Sequence, residues 1–185
     1  KITDDVLRAW GEILTRLPTA HLLIEGKGFE VPTFLDEYRG RCQRLGIDLE
    51  RLKLIPRDMR HQYLTYHKID IALDPFPMTG GATSLDAIWM GVPVVTLVGT
   101  SHMGRITTGV LRGLGREEWL AYTREDYVRI SCALAMDVEG LNQTRLRLRE
   151  EVERSSLLRD DLVCPIFGAA LRAMWQAWVS RQTYP

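Results

Sequence analysis

Residues 69–99, IDIALDPFPMTGGATSLDAIWMGVPVVTLVG, constrain the fold of this chain more than any other stretch. Ile69, Ile71, Ala72 and Leu73 form a nearly continuous apolar run, the pattern of a parallel strand covered on both faces, and 92–98 repeats it. The residues between them must cross over as a loop and a helix. In such a unit the loop after the first strand opens at the carboxyl edge of the sheet, where α/β proteins bind ligands. Gly80 and Gly81 let backbone approach a ligand closely. A helix beginning at Thr83 then points free N–H groups and its positive dipole end into the same crevice, which favours a phosphate. Thr83 and Asp86 are also spaced as N-cap and N3, so the same four residues read equally well as a variant capping box that only starts a helix. Neither the Walker pattern nor the GxGxxG fingerprint is present, which leaves the identity of the phosphate open.

The rest of the chain extends this pattern. Thr3 reads as an N-cap with Asp4 and Asp5 in the first turn, and Val6, Leu7, Trp10, Ile13 and Leu14 give helical periodicity up to Pro18. Strands are expected at 21–25 and 52–55, with helices over 33–45, ended by Gly46, and over 58–67. Alternating strands and helices indicate βαβ units and a parallel sheet flanked by helices, a Rossmann-like α/β fold. After Gly99 the pattern is helical, over 105–114, 125–135, 141–149 and 166–179, with no strand expected. With no linker, repeat or low-complexity tract, residues 1–185 read as one domain. Trp89, Met90 and Trp175 are expected in the core, and the run from Arg145 to Glu151 as a solvated helix face. Asp74 and Pro75 are expected to shape the strand exit, and His21 and His67 to serve structure.

Lys plus Arg equals Asp plus Glu at 24 each, so no basic footprint argues for nucleic acid or an anionic membrane. No stretch reads as the roughly 20 apolar residues of a membrane helix. Cys42, Cys132 and Cys164 are far apart and odd in number, which fits reduced thiols in a cytoplasmic protein better than a disulfide framework or a zinc site. No secretory signal is visible, and a start at Lys1 without Met is expected of a piece of a longer protein.

The elements LDPFP, GGATSLDAIWMGVPVVTLVG, Arg105, LRGLG and EDYVRISCALAMD together resemble the C-terminal half of the O-linked N-acetylglucosamine transferase family, which includes related bacterial protein glucosyltransferases. The agreement runs in order from Lys1-Ile2-Thr3 to Ala173-Met174-Trp175. It implies the nucleotide-binding C-terminal lobe of a two-lobed GT-B glycosyltransferase. Expelling a nucleoside diphosphate from a sugar leaves negative charge to be stabilised by a metal, cations or fixed dipoles. The sequence has no Asp-x-Asp pair to hold a divalent ion, so no metal or other cofactor is expected, and a helix N-terminus, hydroxyls and a lysine must serve.

The resemblance assigns roles residue by residue. Lys1 falls on the lysine that contacts the donor diphosphate, a leaving-group role, whereas its own sequence context is that of a solvated terminal lysine. Gly80 is counted with the UDP-sugar-binding positions, as backbone that can come close to the donor. Gly81 lies where animal members have a diphosphate-contacting histidine, and Ala82 replaces a threonine, so both contribute backbone only. Thr83 keeps the second threonine, and Asp86 matches the acidic position that accepts ribose hydroxyls. The histidine that stacks on uracil falls in register on Gln62, with His61 adjacent. Arg105 matches a family arginine and reads either as a cationic wall of the donor site or as a surface arginine at a helix start; His102 lies in the same loop.

The expected function is therefore the UDP-sugar-binding lobe of an inverting, metal-independent protein glycosyltransferase, with UDP-GlcNAc as donor and Ser/Thr of proteins as acceptor. UDP-glucose with a protein N-glucosyltransferase, a sugar-nucleotide epimerase lobe and a non-catalytic module that keeps the fold are the alternatives. The lobe with acceptor-binding and base groups is expected upstream of Lys1, preceded by TPR repeats. Residues 1–185 alone are expected to bind nucleotide without turnover.

Overall fold

The computed structural model describes residues 1–181, except the side chains of Gln62 and Asp160. It alternates strands and helices: α1 (Asp4–Arg16), β1 (Leu22–Gly26), α2 (Pro32–Arg44), β2 (Leu52–Pro56), β3 (Ala72–Leu73), α3 (Ala82–Trp89), β4 (Val94–Leu97), α4 (Ile106–Leu114), β5 (Leu120–Ala121), α5 (Arg124–Met136), α6 (Val138–Arg154) and α7 (Asp160–Ser180). All strand pairing is parallel. β1 pairs with β2 in the register Leu22 to Leu52, and β4 lies between β3 and β5, with Ala72 opposite Val94 and Thr96 opposite Leu120.

Alternation along β4 divides the interior into two cores. Val95 joins Val6, Leu7, Trp10 and Ile13 of α1, Leu22 and Ile24 of β1, and Tyr127 and Val128 of α5. Its neighbour Val94 packs instead with Ala87 and Ile88 of α3, Leu111 of α4, Trp119, and Leu148 and Val152 of α6. Each fully buried aliphatic side chain contributes about 1.5–3 kcal/mol relative to exposure. β1–β2 and β3–β4–β5 are two parallel sheets, and the three-stranded one is thus covered on both faces, as its apolar strands require.

Thr3 caps α1 as expected, its hydroxyl accepting from the Val6 amide at 3.4 Å. Several other expectations are corrected. The helix expected over 58–67 is a 3-10 turn, Gln62–Lys68, because the Asp58 carboxylate takes the amides of Arg60 and His61 and so competes with helix ahead of it. The strand expected at 69 onward is only Ala72–Leu73, and β5 was not expected, being two residues long and without measurable periodicity. The 145–151 run is not a solvated face throughout. Leu148 is fully buried, and the Arg145 guanidinium donates to the Ile69 carbonyl at 2.6 Å and to Asp70 at 2.9 Å. Trp89 is half-buried under the Arg149 guanidinium, 4.4 Å from its ring centre.

The largest correction is α7. Trp175 is 62% exposed, and Leu162, Val163, Ile166, Phe167, Leu171, Met174, Trp178 and Val179 are exposed with it. Within it, Asp161–Ser180 is long and apolar enough by length and composition to cross a membrane, and none of it is buried. The scattered alanines and the single Arg172 had disguised this length of apolar surface.

Candidate functional site

The carboxyl ends of β1, β2 and β3 open on one side, and the crossover after β3 supplies the site's central feature. The chain leaves Leu73 through Asp74 and a cis Phe76–Pro77 peptide to reach Thr79, Gly80 and Gly81. Gly81 has φ +64°, a conformation that other residues rarely adopt, and serves as the N-cap of α3. Its carbonyl accepts from the amides of Ser84 and Leu85, both at 3.1 Å. The helix therefore begins at Ala82, one residue before the expected start, and Thr83 is not its cap. The Thr83 hydroxyl instead donates to the Gly80 carbonyl at 3.2 Å. The capping-box reading of Thr83 and Asp86 fails for this reason, while the amides of Ala82 and Thr83, ahead of the Ser84 bond to Gly81, remain without intrahelical acceptors.

A cavity of about 200 Å³ lies against this helix start, lined by Glu25, Gly26, Lys27, Arg57, Tyr66, Thr83 and Asp86. Thr83 and Asp86 are thus brought together with the loops that follow β1 and β2. Among the described residues, neither Lys27 nor Arg57 has an ion-pair partner, so two cations face the crevice uncommitted. The Tyr66 hydroxyl donates to the Thr83 carbonyl at 3.1 Å. Burial, followed by the nearby Asp86 and Glu25 carboxylates, pushes its pKa up to about 12, so Tyr66 remains a donor at neutral pH. Sequence reasoning missed Glu25, Lys27, Arg57 and Tyr66. The rule that sites gather at strand carboxyl ends points to the first three, which follow or close β1 and β2; Tyr66 has no such signal.

The other expected residues are placed unequally. The Lys1 ammonium donates to the carbonyls of Thr79 at 2.9 Å and Gly80 at 3.4 Å, so it stands at the loop rather than free in solvent. Arg41 supports that placement by donating to the Ile2 carbonyl at 3.2 Å and to Asp4. Gly80, Gly81 and Ala82 build the loop and helix start. Arg105 is an exposed N-cap of α4 and does not line the cavity, although the next residue, Ile106, packs beside Gly81. His102 is likewise exposed outside it. His61 is exposed and does not line the cavity; its Nδ1 pairs with Asp58 at 3.0 Å, a contact that holds the Asp58 carboxyl below its usual range. Gln62 opens the 3-10 turn, and its side chain lies outside the described residues.

A larger groove of about 350 Å³ runs among Arg116, Trp119, Arg129, Ile130 and Leu141. Its cations are already engaged, Arg116 with Glu151 and Glu118, and Arg129 with Asp126. Asp137 and Gly140 at the start of α6 also line it, but there the Asp137 carboxylate already accepts from the Gly140 amide at 2.9 Å and adds a negative charge. The cavity at α3 is therefore the better anion site.

Comparison with known proteins agrees with this geometry. Residues 1–164 match glycosyl transferase family 41. The chain is 30% identical over 180 residues to the probable UDP-N-acetylglucosamine–peptide N-acetylglucosaminyltransferase SPINDLY of Petunia hybrida, covering 96% of this chain and 19% of that protein. It is 26% identical over 181 residues to the UDP-N-acetylglucosamine–peptide N-acetylglucosaminyltransferase of Caenorhabditis elegans, covering 97% of this chain and 16% of that protein. A solved mutant O-GlcNAc transferase of Thermobaculum terrenum superposes with a TM-score of 0.85 at 35% identity, over 94% of this chain and 34% of that one. The chain thus spans about a fifth of the curated relatives' length. The fold is that of the catalytic region of a GT-B enzyme. With its parallel sheet, its helix start at the strand edge and this match over 1–164, the chain belongs to glycosyl transferase family 41.

Proposed function

We propose that residues 1–185 form one domain, the UDP-sugar-binding lobe of an inverting, metal-independent protein glycosyltransferase that transfers N-acetylglucosamine from UDP-GlcNAc to Ser or Thr of proteins. The observation that carries this reading is the cavity in which Thr83 and Asp86, at the free-amide end of α3, face the uncommitted cations Lys27 and Arg57. The relatives, named as UDP-N-acetylglucosamine–peptide N-acetylglucosaminyltransferases, suggest the donor and the protein acceptor.

Departure of the nucleotide leaves negative charge on its diphosphate, and each group at the loop answers that charge. The amides of the first turn of α3 and the helix dipole supply fixed positive ends. Gly81 and Ala82 contribute through backbone, and Thr83 adds a hydroxyl. The Lys1 ammonium has three donors, two of which reach the Thr79 and Gly80 carbonyls, so a third can meet the phosphate. Asp86 accepts ribose hydroxyls, while the role at the base stays with His61 or Gln62, after β2, as the family resemblance implies. In this reading these groups carry the charge without a metal ion. The acceptor and the base that activates it belong to the upstream lobe, with TPR repeats before it. The three free cysteines suit the cytoplasmic location proposed for the enzyme.

Ligand-observed NMR with UDP, GDP and ADP tests the reading. It predicts selective UDP binding, weakened about fivefold or more in Thr83→Ala and Asp86→Ala, the loss of one net hydrogen bond or more. Absence of binding in a chain extended through the upstream lobe contradicts it, as does turnover by residues 1–185 alone.

A further inference from the structure

Asp74 is 3% exposed, at the end of β3, and the cavity does not include it. Its Oδ1 accepts from the Gly80 amide at 2.6 Å and from the Ser84 hydroxyl at 3.1 Å, and its Oδ2 accepts from the Thr96 hydroxyl at 2.7 Å. The Thr107 hydroxyl of α4 donates in turn to Ser84 Oγ at 3.1 Å. The Asp74 carbonyl accepts from the Tyr127 hydroxyl of α5 at 3.1 Å, and Tyr127 accepts from the Trp10 indole of α1 at 3.1 Å. One residue therefore joins two strands and four helices to the loop that opens α3.

A carboxylate is an expensive choice for a buried strand end, because desolvation disfavours its charge. Burial indeed holds the Asp74 carboxyl above its usual range against the hydrogen bonds that oppose the shift. What the charge does locally is accept three donors at once, two of them from the loop and helix start. The loop is built around that contact. A Cβ at Gly80 would collide with Ser84 Oγ and stand 2.8 Å from Thr83 Oγ1 and 2.9 Å from Asp74 Oδ1.

We propose that Asp74 is a positioning residue for the sugar-nucleotide donor: by anchoring Gly80 and Ser84 it sets the first-turn amides and Thr83 where the diphosphate binds. The inference rests on the donor-lobe reading above. Its contacts divide into a loop side, Gly80 and Ser84, and a strand side, Thr96. Only the loop side bears on the ligand.

The test is UDP affinity, donor and acceptor KM, and Tm, measured on the full-length enzyme. In Asp74→Ala the UDP Kd and donor KM rise about tenfold or more with acceptor KM unchanged, the scale of losing two charge-assisted bonds that order the loop. Asp74→Asn keeps an oxygen for Gly80 and Ser84 and recovers most of that loss. Thr96→Val lowers Tm but leaves the UDP Kd within about twofold, because it removes a bond that the loop does not share. If Asp74→Ala does not fold, Ser84→Ala against Thr96→Val decides: the first weakens UDP and the second does not. Equal weakening by both at matched Tm overturns the proposal, as does a folded Asp74→Ala that binds UDP normally. An unsubstituted full-length enzyme that binds no UDP overturns the donor-lobe reading and this inference together.

Discussion

The role of Thr83 depends on where α3 starts. The spacing of Thr83 and Asp86 was legible as either a cap or a ligand contact, and Gly81, with its positive φ, removes the capping reading by starting the helix at Ala82. A positive φ at one of two adjacent glycines leaves no mark in the sequence. Asp74 was legible only as a residue at a strand exit, because its three donors come from positions 80, 84 and 96. Its burial has a pH consequence. The folded chain holds the Asp74 proton more tightly than the unfolded chain, whose carboxyl has its ordinary value of about 3.9. Asp74 therefore favours folding most at acid pH, and that contribution declines as pH rises from about 4 through the raised folded value. Urea unfolding of the parent and Asp74→Asn across this range should show the difference shifting in favour of the variant as pH rises. A pH-independent difference would count against the buried charge.

At the scale of elements, long periodic segments were read correctly and short ones were not. α1 and α5 carry complete caps, Thr3 and Thr123, with acidic first turns, and their limits in the structure lie close to those expected. β3 and β5 have two residues each, too few for a period of two to register. The 58–67 segment had a helix-like composition but lost its start to the Asp58 turn. α6 shows the opposite error, since a charged run concealed a buried anchor. Leu148 is fully buried between α3 and β4 residues, and Leu148→Ala should cost about 2–5 kcal/mol of unfolding free energy. Leu146 is 79% exposed on the same helix, so Leu146→Ala should change stability by less than about 0.5 kcal/mol. Comparable losses in the two variants would contradict the packing of α6 described here.

At the scale of the molecule, the two cores account for residues up to α6, and α7 stands apart from both. Its large apolar side chains exceed what scattered surface exposure explains. Residues 1–185 in isolation should therefore self-associate, and a Phe167→Glu, Trp175→Glu, Trp178→Glu variant should sediment as a monomer. The parent remaining monomeric at high concentration would show that α7 is covered within the chain. The whole-chain resemblance was legible because the Gly-Gly, Trp-Met-Gly-Val-Pro and Met-Trp elements sit at family spacing, whereas the cations at Lys27 and Arg57 meet Thr83 and Asp86 only through the tertiary fold.

The central claim is that the start of α3 and the cavity beside it bind the donor nucleotide. Backbone chemical-shift mapping of residues 1–185 during a UDP titration tests it most directly. The account predicts saturable shifts concentrated at Gly80 to Asp86 and at Lys27, Arg57 and Tyr66, with the groove around Arg116 and Arg129 unaffected. Shifts centred on that groove, or saturable binding that leaves Gly80 to Asp86 unmoved, would contradict it.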